Sequence, residues 1–453
     1  MGQRTLICGA TILSLEPSIG DLPKGDILVE GERIVAIGAQ IEAGDAERVD
    51  ASGRICVPGF INAHMHTWQT GLRSLAADWT LLEYFRWVHA GLATRFRPED
   101  IGIATLVGAL GQIDAGTTTL VDWCHNNPTR DHTDAAIEAL AESGLRAAFF
   151  HGSPKPDPRP GEPHFSTVPH PRAEIERLRR GRFASDGLLT LGLAILGPHY
   201  STLEVARADF RLARELGLVA SMHQGGGAAK TPGGWETLIA EGLVGPGVNV
   251  VHGNDLSDHM LSRLVDLGVS FSVTPENEMT QGHGFPITGR LLKRGAAPSL
   301  GVDLESVLAG DMMGVARIAL CMQRVLDNTD SRRETGAIPA TSTVRVRQAL
   351  EWITIAGARM LGLDHRIGSL ACGKQADLVL IDARALHLRP VHDPVATVVM
   401  QAGRGDMEAV MIAGRFMKKN KTLLATGLDE KLARLTAAGA RIVDELGLGK
   451  KAA

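Results

Sequence analysis

The chain has 453 residues, 44% of them apolar and 22% charged, with a formal net charge of −4. That is enough to bury a sizeable core as one large domain with a smaller companion. A near-neutral balance without a long basic run disfavours a nucleic-acid surface and points to small molecules as partners. The five cysteines are scattered and form no CxxC pair, so a disulfide framework or zinc ribbon is not expected and a reducing, cytoplasmic setting fits. The opening residues carry acids and no sustained apolar stretch, the myristoylation pattern is unmet, and no apolar run reaches the length of a membrane span.

The first predicted elements are short strands. Residues 5–13 are β-rich, and 26–30 and 33–37 read as a hairpin turning at Gly31-Glu32. Two segments near the other end, 374–382 (KQADLVLID) and 407–417 (MEAVMIAGRFM), have the same character. The two ends are expected to pair as one small β-domain.

Between them the rhythm changes. Eight apolar runs of strand length occur at 55–64, 117–123, 146–152, 188–199, 218–223, 248–252, 269–275 and 297–303. Continuous apolar runs are what strands buried on both faces look like. Helical patterns separate them, for example 98–116 and 133–144, the latter stopping at Gly144. This alternation predicts an α/β fold, a (β/α)8 barrel at 58–370, although an open sheet has the same signature. A composite β-sandwich from 1–57 and 371–425 and a terminal helix and tail at 426–453 complete the expected organisation. The stretch 154–171 holds seven prolines and reads as a long irregular excursion after the third strand.

The polar residues fall at the ends of these runs. His64 and His66 end the first, Asp122 and His125 the second, His151 the third, His199 the fourth, His223 the fifth and His252 the sixth; Glu276 and Glu278 follow the seventh, and Asp303 closes the eighth. In a barrel those ends converge on one mouth, where active sites are built. Residues i and i+2 of a strand share a face, so His64 and His66 can grip one ion. A nitrogen from His223 and an oxygen from Asp303 complete an N3O set suited to zinc or ferrous iron. A water on such an ion ionises near pH 7. Asp303 can take its proton, and His252 can orient it and polarise the substrate.

The string PGFINAHMHT (58–67), then His223, His252 and LGVD (300–303), resembles the amidohydrolase superfamily, and GSLACGKQADLVLID (368–382) resembles its return to the small β-domain. TWQTGLRSLAADWTLLEYF (67–85) resembles the branch of chlorotriazine hydrolases, S-adenosylhomocysteine and methylthioadenosine deaminases, and guanine and cytosine deaminases. The resemblance spans nearly the whole chain. It implies His64, His66, His223 and Asp303 as ligands of one divalent metal, zinc first and iron or manganese as alternatives, with Asp303 as base and His252 beside the water. Binuclear relatives carry a carboxylated lysine at the end of the fourth strand, where this chain has LGPHYS; Lys155 lies in the proline-rich stretch and is expected to be solvated.

One position departs from the branch. Its members usually carry His-x-x-Glu after the fifth strand, the glutamate moving a proton to a ring nitrogen or leaving group; here the run is His223-Gln224-Gly225-Gly226. Glu276, Glu278 and His283 are the candidate replacements. His199, Tyr200, Trp68, Gln69, His125, His151 and Ser306 are candidate substrate contacts, with Trp79, Trp87, Trp123 and Asp311 as further residues that either line a pocket or serve packing and capping. The reading is a cytoplasmic metal-dependent hydrolase, a homodimer or larger. It attacks an electron-poor carbon of a small nitrogen heterocycle and releases ammonia, amine or halide. Hydrolysis of a cyclic amide or other acyl bond is the alternative within the fold, and a non-catalytic metal-binding scaffold the alternative outside it.

Overall fold

The computed structural model describes residues 4–183 and 187–448. Eight parallel strands follow one another around a sheet in chain order: Phe60–Met65, Thr117–Cys124, Arg146–Gly152, Leu189–Ala194, Ala220–Gln224, Val248–His252, Ser270–Val273 and Ser299–Leu300. The eighth comes back to the first. Asp303 N–H donates to the His64 carbonyl at 2.9 Å, and His66 N–H donates to the Asp303 carbonyl at 2.9 Å. The approach needs a glycine at 301, because a Cβ there would stand 2.6 Å from the His64 carbonyl oxygen. The second, third and sixth strands are buried along their whole length, which is why their sequences do not alternate.

Helices cover the outside. Pro98–Asp114 starts on a proline, with the Asp100 carboxylate accepting from Arg97 N–H at 2.7 Å. Arg130–Ser143 ends at Gly144 in the left-handed conformation. The terminal helix, Leu428–Glu445, buries Leu435 and Ile442 and pairs Arg441 with Asp100 of the first of these helices. No helix among the described residues is long and apolar enough to cross a membrane.

The two ends of the chain form a separate nine-stranded mixed sheet with its own core of Ile7, Ile12, Ile27, Cys56, Leu378 and Met411. The predicted hairpin is Asp21–Glu30 with Arg33–Gly38, closed by the pair Glu30 and Arg33. The returning strand Leu378–Asp382 lies antiparallel to Arg54–Pro58, with Leu380 opposite Cys56.

Two boundaries differ from the sequence reading. The first apolar run divides at Gly59: Arg54–Pro58 belongs to the terminal sheet and only Phe60–Met65 to the barrel. Both halves are buried, so hydropathy alone shows no break. The fourth strand stops at Ala194, and His199 sits on a short helical turn, Gly197–Tyr200, beyond it. The 154–171 segment is irregular apart from the single turn Phe165–Thr167.

Candidate active site

Four side chains converge where the first and eighth strands meet. His64 Nε2 lies 3.2 Å from His223 Nε2, and Asp303 Oδ1 lies 3.3 Å from His64 Nε2 and 3.4 Å from His66 Nε2. The ligand atoms of all four lie within 4.8 Å of one another. Adjacent ligands on a tetrahedral ion with bonds of about 2.0–2.1 Å stand roughly 3.3 Å apart, so these separations match the corners of such a site. The protonation states match too. Burial pushes His66 down to about 3 and His223 well below the ordinary histidine value, leaving neutral rings with free lone pairs. His66 Nδ1–H donates to the Trp123 carbonyl at 2.6 Å, which turns the Nε2 lone pair inward. Despite its burial, Asp303 is held well below the usual carboxylate range by the histidines around it. Three imidazole nitrogens with a carboxylate beside them make a donor set that could hold a divalent metal.

The other oxygen of Asp303 is held from the opposite side. Asn277 Nδ2 donates to Oδ2 at 2.7 Å and the Thr274 hydroxyl at 3.3 Å. His252 Nε2 stands 3.7 Å from the same oxygen. Its Nδ1 contacts Glu278 Oε1 at 3.3 Å and Thr274 Oγ1 at 3.1 Å. A carboxylate only accepts, so Nδ1 carries the proton and Nε2 faces the chamber. Burial works against the charged form of His252, but Glu278 and Asp303 more than offset it and raise its pKa. His252 and Asp303 both have left-handed backbone, φ 68° and 71°, a conformation that non-glycine residues keep only where the surroundings impose it.

These groups open into a chamber of about 30 Å³ walled by Leu81, Tyr84, Phe85, Tyr200, Gln281 and His283. A larger cavity of about 550 Å³ lies beneath the proline-rich segment, and His89, His125 and Lys155 line both spaces. Of the predicted substrate contacts, Tyr200 and His125 reach the chamber, and Trp68 and His151 line the second cavity. His125 is stacked on His66 at 4.1 Å and accepts from Trp68 Nε1 at 3.1 Å. His151 Nδ1 contacts His170 Nε2 at 3.0 Å. His199 is turned away onto Gln224 Nε2 at 3.0 Å. Gln69 is buried between the Tyr84 hydroxyl at 2.5 Å and the Ser306 hydroxyl at 2.7 Å, so neither Gln69 nor Ser306 borders the chamber. Trp123 packs its ring 4.3 Å from that of His223, and Asp311 caps the helix Met312–Thr335.

Of the three candidate proton donors, only His283 borders the chamber. Its ring is 4.4 Å from that of His252, and both its nitrogens are buried without a partner. Glu278 is spent on His252 and on Thr274 N–H at 2.9 Å, beneath the chamber floor; Glu276 lies outside the wall. Lys155 is the clearest correction. It folds back onto the wall of both spaces: its Nζ lies 4.8 Å over the Tyr200 ring and 5.8 Å from the Trp123 ring, the residue is half-buried, and burial pushes its pKa down to about 8. His89, Tyr84, Asn277 and Gln281 were not singled out from the sequence, and no periodicity or motif marks them.

Residues 55–417 match the amidohydrolase family. The chain belongs to it. Amidohydrolases similar over nearly full length include a 5-methylthioadenosine/S-adenosylhomocysteine deaminase of Symbiobacterium thermophilum, 27% identical over 98% of this chain and 100% of that one. A 5'-deoxyadenosine deaminase of Methanosarcina mazei is 27% identical over 94% and 95%. Among solved structures, the atrazine chlorohydrolase of Arthrobacter aurescens TC1 complexed with zinc superposes with a TM-score of 0.84 at 21% identity, covering 96% of this chain and 100% of that one. An adenosine deaminase from Xanthomonas campestris with bound zinc gives 0.81 at 23% identity over 98% and 99%. These structures share the fold. The protein is accordingly a metal-dependent hydrolase acting on carbon–nitrogen bonds other than peptide bonds.

Proposed function

We propose that this amidohydrolase deaminates an amino-substituted nitrogen heterocycle with one zinc ion. The observation that carries the reading is the convergence of His64, His66, His223 and Asp303 beside His252 at one end of the barrel. The deaminase names of the full-length relatives support it. Zinc bound there supplies a nucleophile near neutral pH by lowering the pKa of water to about 7. Asp303 takes the proton released as oxygen attacks the ring carbon. Glu278 fixes the tautomer of His252, whose Nε2 orients the attacking water and contacts charge developing on the substrate. Asn277 holds Asp303 in place from behind.

The ring occupies the chamber walled by Leu81, Tyr84 and Phe85, and a substituent can pass Lys155 and His125 into the cavity under the proline-rich segment. His125, Tyr200 and His283 contact the ring in this reading; Trp68 and His151 contact the substituent. We place the protein in the cytoplasm as a homo-oligomer. The barrel runs from Phe60 to about residue 370, and the terminal sheet takes the described residues up to Pro58 together with 371–425.

Ammonia release from a panel of amino-purines, amino-pyrimidines and amino-triazines, followed with mass detection, tests the reading. The glycine at 226 favours a second one, cyclic-amide hydrolysis, since attack on a carbonyl needs no protonated ring nitrogen. Ring opening of cyclic amides with no ammonia from any amine would replace the first reading by the second.

A further inference from the structure

The position three residues after the fifth-strand histidine is a glycine here, and its conformation disfavours any side chain. Gly226 has φ 89°, and a Cβ on it would stand 2.8 Å from Leu81 Cδ2 and 3.0 Å from the Tyr200 hydroxyl. That hydroxyl donates to the Gly225 carbonyl at 2.5 Å, so the tyrosine is anchored in the space a glutamate would use. The Lys155 ammonium lies over the ring of the same tyrosine at 4.8 Å. It borders the chamber with His66, His223, His252 and Asp303. Among the described residues it has no hydrogen bond or ion pair, only the two aromatic faces. A partly buried ammonium without a carboxylate is costly, and surface lysines avoid that state by reaching water. Of the other titratable groups near the wall, Glu278 is committed beneath His252, His252 is engaged by Glu278 and faces Asp303, and His283 is pushed down to about 3 by burial.

We propose that Lys155 is a catalytic residue that protonates the departing amine, in place of the glutamate missing at Gly226. This rests on the deaminase reading of the site. The carbon–nitrogen bond breaks as the amine nitrogen takes a proton from Lys155 Nζ, and ammonia leaves. The water oxygen ends as the ring carbonyl. Of its two protons, both passing through Asp303, one recharges Lys155 and the other goes to the ring nitrogen. An amine poised to titrate at about 8 gives up and regains a proton readily near neutral pH. The aromatic faces hold the charged form in position without fixing it by a salt bridge.

The test compares two leaving groups on one ring, a 6-aminopurine nucleoside and its 6-chloro counterpart, in zinc-loaded Lys155→Met and Lys155→Arg. Ammonia needs a proton to leave and chloride does not. Lys155→Met is expected to lower kcat on the amino compound by about 100-fold or more and to change the chloro reaction by less than about threefold. Lys155→Arg keeps the charge but does not release a proton, so it is expected to be as slow as Lys155→Met on the amine. Competitive labelling with acetic anhydride, read by mass spectrometry, should show Lys155 titrating near 8, below the surface lysines. Equal losses on both leaving groups, rescue by arginine, or ammonia release within tenfold of wild type would overturn the inference alone. Wild-type protein that releases neither ammonia nor chloride from this pair, and no ammonia from any amine of the panel, overturns the deaminase reading and this inference with it.

Discussion

The two ends of the barrel handle buried charge in opposite ways. At the N-terminal end, Arg146 opens the third strand and is fully buried against Asp377 of the terminal sheet, at 2.8 and 3.1 Å, with Gln375 as a further acceptor. Asp377 also accepts from Ala413 N–H at 2.7 Å. Neither residue has an orphaned polar atom. At the C-terminal end, His64 Nδ1, both nitrogens of His283, Asn277 Oδ1 and Gln281 Nε2 are buried without partners, and His252 and Asp303 sit in left-handed backbone. The satisfied cluster joins two sheets. The other offers polar atoms that no protein group uses, together with left-handed backbone at His252 and Asp303, which is where an ion and a substrate can be received.

That contrast can be broken from either side. Asp303→Asn removes the negative charge of a ligand and the base together, so activity should fall by at least about 1,000-fold in an ammonia-release assay, with bound metal falling in parallel. Arg146→Met should do the reverse: it strands Asp377 and should cost about 3–5 kcal/mol in denaturant unfolding, with metal content per folded chain unchanged.

Acid should separate the ends by pH. Burial pushes His151 down to about 4 and His170 well below its ordinary value. A histidine depressed in the folded state binds its proton in the unfolded chain first. Its contribution is therefore complete above pH 6.5 and is lost as pH falls from 6.5 toward 4, by about 3 kcal/mol for a shift of that size. His151→Gln should flatten that part of the stability profile. Asn277→Ala is the mildest change: losing the bond to Asp303 should weaken metal affinity or activity about 10- to 100-fold, measured by chelator competition.

The chemistry was readable where strand periodicity and position coincide. Eight buried runs gave the barrel, and a histidine or aspartate at the end of a run pointed into the mouth because every parallel strand points there; His64, His66, His223, His252 and Asp303 all follow that rule. Prediction weakened one turn further on. His199 is five residues past its strand, and the helical turn Gly197–Tyr200 swings it onto Gln224 while bringing Tyr200 to the chamber. Glu278 lies on the helix Pro275–Gln281, whose turn puts it under His252 and puts Asn277 on Asp303. Lys155 lay furthest from reach. A proline-rich segment carries no period, so nothing in its sequence says which side chain folds inward, and the aromatic faces that hold Lys155 come from the second strand and the turn after the fourth.

The measurement that tests the central claim most directly is metal content per chain by elemental mass spectrometry, on protein purified with neither added metal nor chelator. One equivalent of zinc, lost in Asp303→Asn, is the expected result. No metal, with none taken up on addition, would contradict the account, and two equivalents would contradict its single-ion site.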